Sequence, residues 1–315
     1  MAKEPTTKLA SRFCVTGPKF RIKDIDPDET LGLDIKDEAD ELLKRGIQRL
    51  ASLQERMYAQ DRWALLLIFQ ALDAAGKDGT IKHVMSGINP QGCQVSSFKQ
   101  PSSEDIDHDF MWRAVKHLPE RGRIGIFNRS YYEEVLVVRV HPELLSKQRI
   151  PEKMVDKNIW KDRFRHIRRF EEYLTDQGTV VRKFFLHVSK REQRRRFMER
   201  LDQPEKNWKF STADVHEREH FGDYMDAYED MIRHTATKDC PWYVVPADHK
   251  WFTRLVVAAA VIEALDGIKP SFPKLDDEKL RELTLARAAL EAEPNANKNT
   301  GGKTDKNKQN KKKRG

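Results

Sequence analysis

Cysteine is scarce: Cys14, Cys93 and Cys240 are the only three among 315 residues. The number is odd and the separations fit neither a metal nor a redox pair, so a disulfide scaffold is excluded and reduced thiols are expected. Long hydrophobic runs are also missing. No secretory apolar region follows the first residues, and the longest late run, Leu255 to Ile262, is too short to cross a bilayer. A soluble, cytoplasmic protein without a membrane partner is expected. No internal repeat is present.

Charge of one sign is scarce in one place. Residues 294–315 hold eight basic residues against a single acid, Asp305, so seven of the eight net positive charges sit there. Such a segment lacks the apolar content to build a core, and a disordered basic tail is expected. The rest of the chain is nearly neutral. That leaves little electrostatic footprint for duplex binding, and no specific nucleic acid is expected as a partner.

What remains is long enough for a sizeable core. Leu43, Ile47, Leu50 and Met57 mark an amphipathic helix within an N-terminal extension, residues 1–60. Apolar strands are expected at 63–69, 93–98, 123–127, 179–188 and 242–246. Helices are expected between them, including 102–118 behind a cap at Ser102-x-x-Asp105, then 152–176, 190–201 and 251–265. Five apolar strands alternating with helices predict an α/β fold with a parallel sheet covered on both faces. A further helix is expected at 273–293.

The most telling segment joins the first strand to its helix: Ala71-Leu72-Asp73-Ala74-Ala75-Gly76-Lys77-Asp78-Gly79-Thr80. A buried strand, a small-residue loop with Gly-Lys and then a helix form a cradle for phosphate. Loop N–H groups and the positive helix end meet the anion, and the lysine adds a full charge. The usual pattern G-x-x-x-x-G-K-[ST] is altered in two places. Ala71 replaces the first glycine, and Asp78 stands where a hydroxyl would hold Mg²⁺. With Asp73 inside the loop as well, carboxylates are expected to hold Mg²⁺ instead. The third strand ends in Asn128-Arg129-Ser130-Tyr131-Tyr132-Glu133. Arg129 can fork onto phosphate oxygens, Asn128 offers a neutral oxygen, and Glu133 returns a carboxylate.

Cations crowd the helix from Lys190 to Arg200, which runs into a Pro- and Lys-containing loop through Lys206 and Lys209. That arrangement suits a lid that closes on phosphates, with the acidic and aromatic segment 215–233 as its return helix. His216 and His220 lack a third ligand, so zinc is not expected there.

The loop 72–80 and the strand end 128–141 resemble the polyphosphate kinase 2 family. So do the lid segment 200–210 and the closing segment 241–251. The resemblance covers roughly residues 19–272, in order. Asn128 followed by Glu133 resembles its class III branch, which phosphorylates both AMP and ADP. The resemblance implies a thymidylate-kinase-like, P-loop kinase core over 61–272 with a helical lid at about 200–235. It further implies Mg²⁺, inorganic polyphosphate as donor, and AMP or ADP as acceptor. By position, Asp73 and Glu133 would organise the metal, and Lys77 and Arg129 would bind acceptor phosphates. Ala74, Ala75, Gly76, Asp78, Gly79, Thr80 and Asn128 would surround the phosphates, while Arg200, Lys206 and Lys209 would line the donor path. A homo-oligomer is expected. Two other readings stay open: a nucleotide kinase using ATP, which would carry a hydroxyl after Lys77, and a polyanion- or nucleic-acid-binding protein with a vestigial loop.

Overall fold

The computed structural model describes residues 6–33 and 36–293; the expected tail, 294–315, lies outside the described residues. Six strands make one sheet: β1 (Cys14–Val15), β2 (Ala64–Ala71), β3 (Cys93–Ser97), β4 (Ile124–Asn128), β5 (Thr179–His187) and β6 (Trp242–Pro246). Their order is β1-β6-β5-β2-β4-β3. The strands from β2 to β6 pair with one another in parallel, as the buried apolar runs led us to expect. The sheet has a sixth strand that the sequence did not announce. β1 pairs antiparallel with β6 through Cys14 with Tyr243 and Val15 with Trp242. Two residues are too few for any alternation to show.

All eight residues of β2 are buried. Leu65, Leu67 and Phe69 pack on one face beneath helices α1 (Lys36–Gln60), α2 (Lys77–Val84) and, later in the chain, Lys250–Ile268. Leu66 and Ile68 pack on the other, beneath α3 (Ile159–Asp176) and the helix Phe221–Thr235. Between these, α4 (Lys190–Asp202) follows β5; the two later helices are α5 (Phe221–Thr235) and α6 (Lys250–Ile268). β2 lies between β4 and β5, where the winding of the chain reverses. Ligands of such sheets bind in the crevice at the carboxyl ends of the strands there.

Two helices differ from expectation. The helix capped by Ser102 has the reciprocal capping box with Asp105 but spans only Ser103–Asp107. It stops because Asp109 Oδ1 accepts from the Met111 N–H at 2.9 Å, starting a new turn at Trp112. The 152–176 segment opens with a 3₁₀ turn, Glu152–Met154, and becomes α3 only at Ile159. Residues 273–315 form a unit of their own. Its described part holds α7 (Asp277–Ala292), capped by Asp276 and with no buried residue.

Candidate active site

β2 delivers the chain to a turn that two left-handed residues shape, Ala74 at φ 63° and Gly76 at φ 100°. Glycine adopts that conformation freely, whereas alanine is strained in it. The turn closes through the Ala75 N–H on the Leu72 carbonyl at 3.2 Å. α2 then starts at Lys77 with no side-chain cap on its first N–H groups. An uncapped helix start next to a buried strand end is suited to an anion. Thr80 is buried one turn into α2.

The parallel pairing of β2 with β4 sets Phe69 beside Asn128, and this brings the two motifs together. Arg129, itself left-handed at φ 65°, donates from its backbone N–H to the Phe69 carbonyl at 3.0 Å. Its guanidinium bridges two carboxylates: Nη2 lies 2.8 Å from Asp73 Oδ1 and Nη1 3.2 Å from Glu133 Oε2. Asn128 Nδ2 donates to Asp78 Oδ1 at 2.9 Å, so the strand end steadies the loop. The carboxylates, Glu133 foremost, hold the Arg129 guanidinium firmly charged against its burial. Burial pushes the Glu133 carboxyl above its usual range, and the cations of Arg129 and Lys77 only partly oppose this. Lys77 is half-buried; burial, and then the Arg129 cation, lower its pKa.

Glu133 rides on the 3₁₀ turn Tyr131–Val135, which is anchored from below. Tyr131 and Tyr132 hydroxyls donate to Glu171 Oε1 at 2.9 and 2.7 Å. Lys183 Nζ meets Glu171 Oε2 at 2.5 Å and the Thr235 carbonyl at 2.8 Å. The pair is fully buried, at 0% and 2% side-chain exposure for Lys183 and Glu171.

The cations of α4 divide. Arg195 pairs with Glu192 and Glu199, and Arg196 is buried beneath the loop. Arg200 packs over the Phe197 ring. It acts on Asp214, whose carboxyl burial and the nearby Asp73 push up while Arg200 and Arg129 oppose. Lys206 is engaged by Glu199 at 3.0 Å rather than turned to the loop. Of Lys209 only the backbone, at the end of Pro204–Lys209, belongs to the described residues. Asp73, Lys77, Asp78, Asn128, Arg129 and Glu133 are thus gathered. Arg200 comes near them through Asp214, and Lys206 stands apart.

Two cavities meet at this cluster. A small one of about 50 Å³ lies between Asp73 and the segment beyond α4, lined also by Asp214, Glu217, Tyr224 and Tyr228. A large one of about 880 Å³ is lined by Lys99, Asp105, Arg113, Gln148 and Arg163 among others. Arg129 and Glu133 line both. The large cavity is within the size range of small-molecule sites. The strand end 128–141 supplies one wall of it, but no motif points to the rest, which is assembled from segments around 98–113, 144–154 and 159–166. Tyr224 and Tyr228 were legible only as helix residues.

Asp73 and Glu133 are hard oxygen donors of the kind that hold Mg²⁺ by one or two carboxylates, with substrate phosphates and water completing the shell. Among the described residues no three His, Cys, Asp or Glu side chains gather to hold a metal by themselves. The donor set therefore fits an ion that arrives with phosphate.

Comparison with known sequences decides the family: the description Polyphosphate kinase 2 matches residues 33–273. The chain belongs to the polyphosphate kinase 2 family. An ADP-polyphosphate phosphotransferase of Rhodopseudomonas palustris is 54% identical over 256 residues, 81% of this chain and 89% of that one. An AMP/ADP-polyphosphate phosphotransferase of Meiothermus ruber is 43% identical over 257 residues, 81% and 92% of the two chains. The crystal structure of polyphosphate kinase 2 from Arthrobacter aurescens matches with a TM-score of 0.80 at 39% identity, covering 88% of this chain and 96% of that one. The P-loop kinase fold that the resemblance implied is thereby shown, and the polyphosphate kinase 2 chain is a phosphotransferase. A divalent metal is expected of such chemistry. No helix among the described residues is long and apolar enough to cross a membrane.

Proposed function

We propose that this enzyme transfers the terminal phosphoryl group of inorganic polyphosphate to AMP and to ADP, giving ADP and ATP, with Mg²⁺. The observation that carries the reading is the shared wall: Arg129 and Glu133 border both the cavity beside the phosphate loop and a cavity large enough for a nucleotide. The names of the two relatives above support the donor and both acceptors. Asn128 followed by Glu133 supports the branch that uses AMP as well as ADP.

In this reading the acceptor nucleotide occupies the large cavity and presents its terminal phosphate to Arg129. Lys77 and the N–H groups at the start of α2 hold phosphate oxygens. Asp73 and Glu133 hold Mg²⁺, which supplies charge neutralisation between the two polyanions. The attacking phosphate oxygen is already anionic and needs no general base, so the task is alignment and charge dispersal. Arg129 is preset for it, held between two carboxylates until phosphate competes for its fork. The lid begins beyond Arg196, and Arg200 is its inward cation. The enzyme is proposed to act in the cytoplasm as a homo-oligomer, with neither a membrane nor a specific nucleic acid as partner.

The test is a mixture of protein, Mg²⁺, polyphosphate and AMP, free of any nucleoside triphosphate. ADP and then ATP are expected. An ATP-dependent kinase or a polyanion-binding protein forms neither.

A further inference from the structure

Three successive carbonyls of the phosphate loop are turned to one side. Gln193 Nε2 donates to the Asp73 carbonyl at 3.0 Å, and Arg196 Nη1 donates to those of Ala74 and Ala75 at 3.2 and 2.7 Å. In a trans peptide the carbonyl and the following N–H point opposite ways. The N–H groups of Ala74, Ala75 and Gly76 therefore face away from α4. That of Ala75 closes the turn on Leu72. Those of Ala74 and Gly76 have the orientation an anion-binding loop needs.

The rest of the Arg196 guanidinium is committed elsewhere. Nη2 donates to the Ala247 and Asp248 carbonyls at 2.6 and 2.9 Å, and Nε donates to Glu192 Oε1 at 2.7 Å. All five of its N–H groups are engaged, and the side chain is 4% exposed. Asp248 in turn accepts from the Ser189 N–H and hydroxyl at 2.8 and 2.6 Å, at the cap of α4. The loop, the first two turns of α4 and the turn after β6 are one hydrogen-bonded body. This body also holds Ala74 in its left-handed conformation.

We propose that Arg196, with Gln193, is the positioning element that presets the phosphate loop, and that it does so without touching substrate. It sits in a run of cations that reads as a substrate-binding face, yet its charge is spent on backbone carbonyls and Glu192. The inference rests on the phosphoryl-transfer reading above.

The variants R196K, R196M and Q193A separate a preset loop from a direct charge contact. Two quantities are measured per folded molecule: tripolyphosphate binding by calorimetry at several salt concentrations, and kcat/KM for ADP with polyphosphate. Melting curves give the folded fraction. A lysine keeps the charge and loses the fork, so R196K and R196M are both expected to lose on the order of 10²-fold in kcat/KM, the scale of a misplaced site. Tripolyphosphate affinity is expected to fall in both, with the slope of log affinity against log salt unchanged. Q193A is expected to fall in the same direction by less, with native melting. If the Arg196 variants do not fold, Q193A alone decides. Wild-type affinity in folded Q193A, or wild-type kcat/KM in folded R196K, overturns the proposal. So does a shallower salt slope in R196M alone, which would mark a direct contact with the polyanion. A wild-type protein that transfers no phosphoryl group overturns the functional reading and this inference with it; active wild type with unimpaired variants overturns this inference only.

Discussion

Glu133 keeps a charge where burial opposes it. Its carboxyl pKa is raised, with desolvation outweighing Arg129 and Lys77. A carboxyl whose folded pKa is raised contributes stability below its unfolded pKa and loses it as pH rises through the folded value. At neutral pH the ionised Glu133 is therefore a cost to the fold. Glu133→Gln should melt higher than wild type at pH 7–8, with the gain vanishing near pH 4, where both side chains are neutral. Activity should move the other way. If the carboxylate holds Mg²⁺ or aligns the acceptor, the variant loses rate, and AMP suffers more than ADP because it has fewer phosphate contacts to align it. Initial rates on both acceptors at saturating Mg²⁺ and polyphosphate check this, and equal losses would point to a general metal role. Lys77 invites a similar test. It is half-buried, and burial and then the Arg129 cation lower its pKa against the pull of Asp73, Glu133 and Asp78, so an arriving phosphate would favour its charged form further. Lys77→Ala should cost about 10²–10³ in kcat, as loss of one preorganised charge contact does, while the far-ultraviolet circular dichroism stays native. Near-normal turnover would remove the loop from the chemistry.

The turn Tyr131–Val135 is only as well placed as the buried pair beneath it. Lys183 and Glu171 are desolvated together, and Tyr131, Tyr132 and Thr235 satisfy their remaining valences. Removing one partner strands the other in a low-dielectric site, so Lys183→Met should destabilise by about 3–5 kcal/mol in urea unfolding. Pairing it with Glu171→Leu should recover part of that loss; an unrecovered double variant would mean that the tyrosine hydroxyls, not the ion pair, dominate. This brace also explains what sequence could and could not reveal. Loop and strand end were legible because each is contiguous and parallel pairing makes them neighbours, which brings Asp73 within reach of Arg129. Lys183 was invisible, since a lysine inside an apolar strand has no local signature of a partner at Glu171. Arg196 was misleading, because it looks like its exposed neighbours Arg194 and Arg195 until the loop carbonyls are seen around it. The large cavity escaped for a third reason: its walls come from segments that meet only in the folded chain.

Across the whole molecule, site and excess charge are far apart in the sequence. Every gathered site residue lies within the unit 1–272, and the family match ends at residue 273. Seven of the eight net positive charges lie beyond residue 293. The helix Asp277–Ala292 buries none of its residues. A chain ending at Phe272 should therefore melt with the full-length protein and turn over short polyphosphate at the same rate. Long polyphosphate is different, because its many charges outside the site attract a basic segment at low salt wherever that segment lies. Exposed charges act over about 10 Å at 0.1 M salt and further when salt is lower. The truncated enzyme should show a raised KM for long polyphosphate at low ionic strength, an unchanged kcat, and no difference from full length once salt is raised. Steady-state kinetics with short and long polyphosphate at two ionic strengths separates these effects. Loss of activity with short polyphosphate would instead make residues 273–315 part of the site.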